Sequence, residues 1–117
     1  MAYLKNTSLA IVCLLCTSFT FFHHGWANYD QTKVLDYKTI IEESVYENPH
    51  AIAKVKYQGK LWTVYLAPTG RMTDRGLSAD MINKGTSVRI VGYPHKTIKT
   101  EMRAERIYVQ DKKFELR

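Results

Sequence analysis

The chain is poor in the residues that staple or wire a protein. Only two of its 117 residues are cysteine, Cys13 and Cys16, and both fall inside an apolar run that reads as an export signal. With that segment removed no thiol remains, so neither a disulfide nor a cysteine-ligated metal is expected in the mature domain. Three prolines and six glycines leave no flexible linker and no glycine-rich phosphate loop. Catalytic arrangements are equally scarce. No serine stands near a histidine in sequence, no H-E-x-x-H motif occurs, and Glu42 and Glu43, adjacent on an expected strand, point to opposite faces. A binding protein is therefore expected before an enzyme.

What is present is a single domain's worth of ordinary globular sequence. Hydrophobic residues make up 45% and charged residues 24%, in the range of packed proteins and not of disordered ones. The one long apolar stretch runs over residues 7–22 behind an n-region that carries Lys5. Its 16 residues fall short of the roughly 20 needed to span a bilayer, so it reads as a secretory signal at 1–22, with a retained N-terminal anchor as the lesser alternative. The cut is expected within 18–27, because Ser18-Phe19-Thr20 and Gly25-Trp26-Ala27 both offer small residues at the required positions. The mature domain, 23–117, is expected in the periplasm with no stable membrane span. Its formal charge falls from +6 to +5 once Lys5 is lost (16 Lys and Arg against 11 Asp and Glu). A basic balance commonly means nucleic acid, but export takes the protein away from that partner.

Alternation along the mature chain predicts strands. Residues 34–46, rich in β-branched and aromatic side chains, form the first, followed by turn chemistry at Glu47-Asn48-Pro49. Residues 50–57 alternate, with Ala51, Ala53, Val55 and Tyr57 on one face. Gln58-Gly59-Lys60 makes a hairpin into a third strand at 61–66, where Trp62, Val64 and Leu66 share a face. Residues 71–82 hold the only helical region, split at Gly76, with Ser78 as an N-cap. Strands over 86–93 and 101–109 complete the set, and 114–116 adds a short final strand. Three strands, a helical connection and two more strands is the order of an OB-fold, a five-stranded Greek-key barrel in a mainly β protein, with an open α+β sheet of the same elements as the competing architecture.

That fold gives the histidines a shared address. His50 follows Pro49 in the loop after strand 1, His95 follows Pro94 in the loop after strand 4, and these two loops flank the binding side of an OB-fold. His23 and His24 stand at or near the mature N-terminus. Imidazole and amine nitrogens suit Cu(II), which heads the affinity order of the divalent first-row metals. An N-terminal His23 would chelate through its amine and ring, with His50 as the cross-chain ligand and His24 or His95 adding a further nitrogen. If the amine is not free, the histidines alone suit zinc as well as copper. The expected metal ligands are thus His23, His24, His50 and His95, and the expected partners are a metal ion and, for ion handling, a periplasmic protein. Met72 and Met102 are read as core. Trp26 and Tyr93 are candidate groove residues, Trp26 also as the anchor of the terminal segment, and Arg103, Glu105 and Arg106 as an exposed ion-paired strand face.

The motifs H-H-G-W-A, N-P-H, W-x-V-x-L-A-P, R-G-L-S-x-D, G-T-S-V-x-I-x-G-Y-P-H and E-M-R-A-E-R-I, in this order, resemble a bacterial family of small exported proteins of unknown function. The resemblance covers about 23–116 and implies a periplasmic OB-like barrel whose mature chain begins with paired histidines. It implies no activity. The reading taken forward is a periplasmic copper-binding protein for ion handling or buffering. Its rival is a metal-free OB-fold module holding a peptide, glycan or small ligand.

Overall fold

The structure, a computed structural model, describes residues 25–117. The expected export segment, with both cysteines, His23 and His24, lies outside the described residues.

Six strands form one mainly β sheet: β1 (Leu35–Val45), β2 (Ile52–Tyr57), β3 (Lys60–Tyr65), β4 (Ser87–Pro94), β5 (Glu101–Val109) and β6 (Lys112–Glu115). Their order is β3-β2-β1-β4-β5-β6, and a parallel pairing of β3 with β5 closes the first five into a barrel. This is the OB-like architecture expected from the element order. Closure removes the open edges of five strands, and β6 continues outward from β5 as an antiparallel neighbour.

β1 is long because it serves two partners. Its first half pairs with β4 from Leu35 to Ile40, and its second half pairs with β2 from Ile41 to Val45. A register irregularity between Ile41 and Glu43 bends the strand where it changes partner, as bulges do at barrel corners. The β2–β3 hairpin turns on Gln58 and Gly59, both at positive φ (51° and 76°), the backbone that two-residue hairpins favour.

Between β3 and β4 the chain forms one helical turn, α1 (Thr69–Asp74), and a 3-10 turn at Ala79–Ile82. Gly76, at φ 87°, separates them, a conformation that glycine adopts without the Cβ penalty. Helix α1 starts two residues earlier than the expected region, at Thr69, where Asn48 Oδ1 accepts a 2.9 Å hydrogen bond from the Thr69 hydroxyl. Ser78 holds the cap position of the 3-10 turn but makes no side-chain capping bond. Tyr46 fastens this segment to the barrel by donating its hydroxyl to the Leu77 carbonyl at 2.8 Å.

The barrel interior follows from the alternation. Ala51, Ala53 and Val55 of the β2 side and Val64 and Leu66 of the β3 side are fully buried, with Ile41, Ile90, Met102 and Ile107 opposite. Met72 and Met102 are part of this core, and the Tyr37 hydroxyl donates to the Met102 sulfur at 2.9 Å. β4 and β5 approach very closely at a register irregularity between Val91 and Gly92. A Cβ added to Gly92 would press on the Arg103 carbonyl oxygen and sit 2.8 Å from Ala104 Cα, so only glycine fits there.

One expectation is corrected by burial. Arg103 is not on an exposed strand face; it is 6% exposed, and Glu101 two residues earlier is 8% exposed. Alternation does place both outside the barrel, but residues 25–30 and the C-terminal residue lie over that side. Glu105 and Arg106 do form the expected ion pairs, including Arg106 to Glu115 at 3.1 Å.

Candidate functional site

The outer face of β5 collects most of the chemistry-bearing side chains. Two rows cross it. In the first, residue 29 bridges residue 95, whose N–H donates to the Glu101 carbonyl at 2.9 Å, so Tyr29, His95 and Glu101 stand side by side. In the second, Tyr93 and Tyr65 are the register partners of Arg103 on either side. Same-face neighbours across adjacent strands are close enough to interact directly.

The first row is a directed network. Tyr29, 1% exposed, donates its hydroxyl to Glu101 Oε2 at 3.0 Å, and its ring meets the His95 ring edge-on at 5.1 Å. His95 Nε2 lies 3.8 Å from Glu101 Oε2. His95 Nδ1 accepts the backbone N–H groups of Thr97 (3.1 Å) and Ile98 (3.0 Å). A ring nitrogen that accepts two N–H donors carries no proton, which puts the proton of the neutral ring on Nε2, toward the carboxylate. His95 thereby ties the loop between β4 and β5 into a compact turn. Tyr29 does the same for the N-terminal segment, helped by the Asp30 N–H to the Pro94 carbonyl (2.8 Å) and the Lys96 N–H to the Asn28 carbonyl (2.9 Å). Tyr29 is an anchor of that segment alongside Trp26, whose ring packs on Arg103. The Tyr29 phenol is pushed above the ordinary range, first by burial and then by the hydrogen bond and charge of Glu101.

The second row is cationic and aromatic. The Arg103 guanidinium carbon lies 4.3 Å from the centre of the Trp26 ring, and so does that of Arg117, distances at which cation–π attraction operates. Trp26 meets Tyr93 edge-on at 6.1 Å, so the two groove candidates are in contact. Tyr93 donates its hydroxyl to Glu105 Oε2 at 2.8 Å. His50 enters from the β3 side, with its ring 6.3 Å from Tyr65 and Nε2 3.5 Å from Arg103 Nη2. Burial holds the Arg103 guanidinium below its usual range, and the nearby Arg71 and Arg117 charges add to this.

His50 and His95 thus border one face from opposite sides, with Arg103 and Glu101 between them. Among the described residues no group of three or more His, Cys, Asp or Glu side chains is placed to hold a metal ion. Nor is any helix there long and apolar enough to cross a membrane.

The sequence from residue 10 to residue 103 matches a single family. The chain belongs to DUF6152, a family of unknown function. No curated protein matches the chain. The DUF6152 match takes in the N-terminal segment, the loop with His50, and β5 as far as Arg103. It stops before Arg117, so that second cation over Trp26 lies outside the matched region.

Proposed function

We propose that the protein is exported to the periplasm and binds one metal ion, copper before zinc, on the outer face of β5, for handling or buffering the ion. His50 supplies one imidazole and the terminal pair His23 and His24 supply the others, with His95 beside them as the residue that sets the rim. What supports this reading is the docking of residues 25–30. Consecutive Cα atoms stand about 3.8 Å apart, so His24 is one such step from Gly25 and two from Trp26. The Trp26 ring in turn packs on the arginine that touches His50.

The donor chemistry bears on the choice of metal. His50 is one nitrogen donor, and His95 has its Nδ1 occupied by two backbone N–H groups. The described residues therefore offer too few nitrogen donors alone, and the terminal pair is needed to complete a nitrogen-rich set, which favours copper. An ion at His50 Nε2 also displaces the Arg103 guanidinium, because two cations cannot share that nitrogen.

The test joins two measurements. Intact mass of the exported protein fixes its first residue, and Cu(II) added to that material is expected to give one bound ion with nitrogen couplings in its electron paramagnetic resonance spectrum. His50→Ala is expected to weaken binding by about tenfold or more, the loss that follows removal of one good ligand. A mature chain that starts at Asn28, or an affinity unchanged in His50→Ala, would falsify the reading.

A further inference from the structure

At the far end of β3 from His50 lies an open cleft of about 430 Å³, lined by Tyr57, Gln58, Lys60, Trp62, Lys99 and Thr100. We propose that this cleft is a binding site for a small ligand carrying one ring and one anionic group. The site stands whether or not an ion binds at His50.

Three observations carry the assignment. The walls are aromatic and rigidly backed. Tyr37 stacks on Tyr57 at 3.8 Å with planes 14° apart, and Trp62 meets Tyr57 at 5.6 Å with planes 70° apart. The rings of β2 and β3 therefore form a fixed corner, and flat or sugar-ring ligands pack on such surfaces. Both Tyr57 and Trp62 are partly exposed. Neither the Tyr57 hydroxyl nor the Trp62 indole N–H has a hydrogen-bond partner among the described residues.

The charge is of one sign. Lys60 and Lys99 flank the corner, no acidic residue lines it, and neither lysine is in an ion pair among the described residues. An ammonium pair with no carboxylate of its own is suited to a carboxylate or phosphate.

The rim is held in place by a conformation that costs energy. Thr100 has φ 59°, a left-handed backbone that is an outlier for a β-branched residue. It is maintained by the Thr63 N–H, which donates to the Thr100 carbonyl at 2.9 Å. Residues kept in such wells by their surroundings are frequently parts of ligand sites. The volume lies within the usual range for small-molecule sites, about 300–1,000 Å³, and suits a sugar acid or an aromatic acid, which share the ring and the carboxylate.

The mature protein, labelled with ¹⁵N, is titrated with glucuronate and with 4-hydroxybenzoate, and with glucose and 4-hydroxybenzyl alcohol as their uncharged counterparts. At least one acid is expected to shift the Trp62 indole and Thr100 amide signals to saturation within about 50 mM, far above a millimolar dissociation constant. Its uncharged counterpart is expected to bind about tenfold more weakly or not at all. Which acid saturates decides whether the ring is a sugar or an aromatic. Trp62→Leu should abolish the Thr100 shift, but Trp62 also packs against the core, so the exposed Lys60→Ala and Lys99→Ala variants keep the test independent of folding. Each is expected to lose affinity several-fold with an unchanged melting midpoint. The proposal is overturned if neither acid saturates at the cleft, if the uncharged compounds bind as well, or if both lysine variants bind like the wild type.

Discussion

Leu66 in the barrel and Tyr29 on the outer face of β5 are buried to the same degree, 0% and 1% exposed, by different physics. Leu66 sits in an all-apolar cluster with Ile41, Val64 and Ile107, where stability comes from area removed from water and does not depend on protonation. Tyr29 lies among His95, Glu101 and Arg103, where each polar group is tolerated because a neighbour satisfies it. The barrel is built to persist. The outer face is built so that removing one partner exposes the need of another.

The comparison can be broken first at the barrel. Leu66→Ala leaves a cavity among closely packed neighbours and is expected to cost about 2–5 kcal/mol in denaturant unfolding. The loss should be the same at pH 7 and above pH 10. Tyr29→Phe keeps the ring and deletes one hydroxyl, leaving a buried carboxylate with one donor fewer, at a cost of about 1–3 kcal/mol. Here pH matters, and its sign is fixed. Burial and Glu101 raise the Tyr29 phenol above its ordinary 10.0, so the folded state holds that proton more tightly than the unfolded chain. This contribution is complete below pH 10 and is lost as pH rises through the folded value. The gap between wild type and Tyr29→Phe should therefore close in alkali. Tyr37, also raised by burial and by Tyr57, is present in both and cancels. A gap that stays constant up to the alkaline limit would place the stabilisation elsewhere.

The smallest effect belongs to a third kind of contact. Arg89 grips Asp36 through two hydrogen bonds at 2.7 and 2.8 Å, but both side chains are 42% exposed. The pair holds the Asp36 carboxyl below its usual range, yet solvent screens it. Asp36→Asn is expected to leave the melting midpoint within experimental error at neutral pH and in acid alike.

These contrasts also mark how far the sequence could be read. Strands and turns were legible because the inward residues repeat at every second position, as Ala51-x-Ala53-x-Val55 and Trp62-x-Val64-x-Leu66 do, and because glycine and proline punctuate them. Barrel closure through β3 and β5 was reachable only from the order of elements, since no local pattern records a parallel pairing across 38 residues (from Thr63 to Glu101). The Arg103 environment was not legible. Its alternation is that of a solvated face, and what covers it, Tyr29 and Trp26, belongs to a short stretch with no periodicity of its own. His50 and His95 could be assigned to flanking loops by topology. That Arg103 and Glu101 stand between them follows from side-chain direction, and the two prolines preceding those histidines say nothing about it. Lys60 and Lys99, 39 positions apart, meet at one cleft because β3 pairs with β5, a pairing that the Thr63 N–H extends to the Thr100 carbonyl.

Gly92 marks the tightest approach of β4 to β5. β4 and β5 can nest this closely there only because residue 92 is glycine, since any Cβ at that notch would collide with the opposite main chain. Sliding β5 by a single position would turn Glu101 and Arg103 into the oily interior and push Met102 and Ala104 out into water. The notch at Gly92 thus belongs to the one pairing whose register keeps the two most polar buried side chains out of the apolar interior.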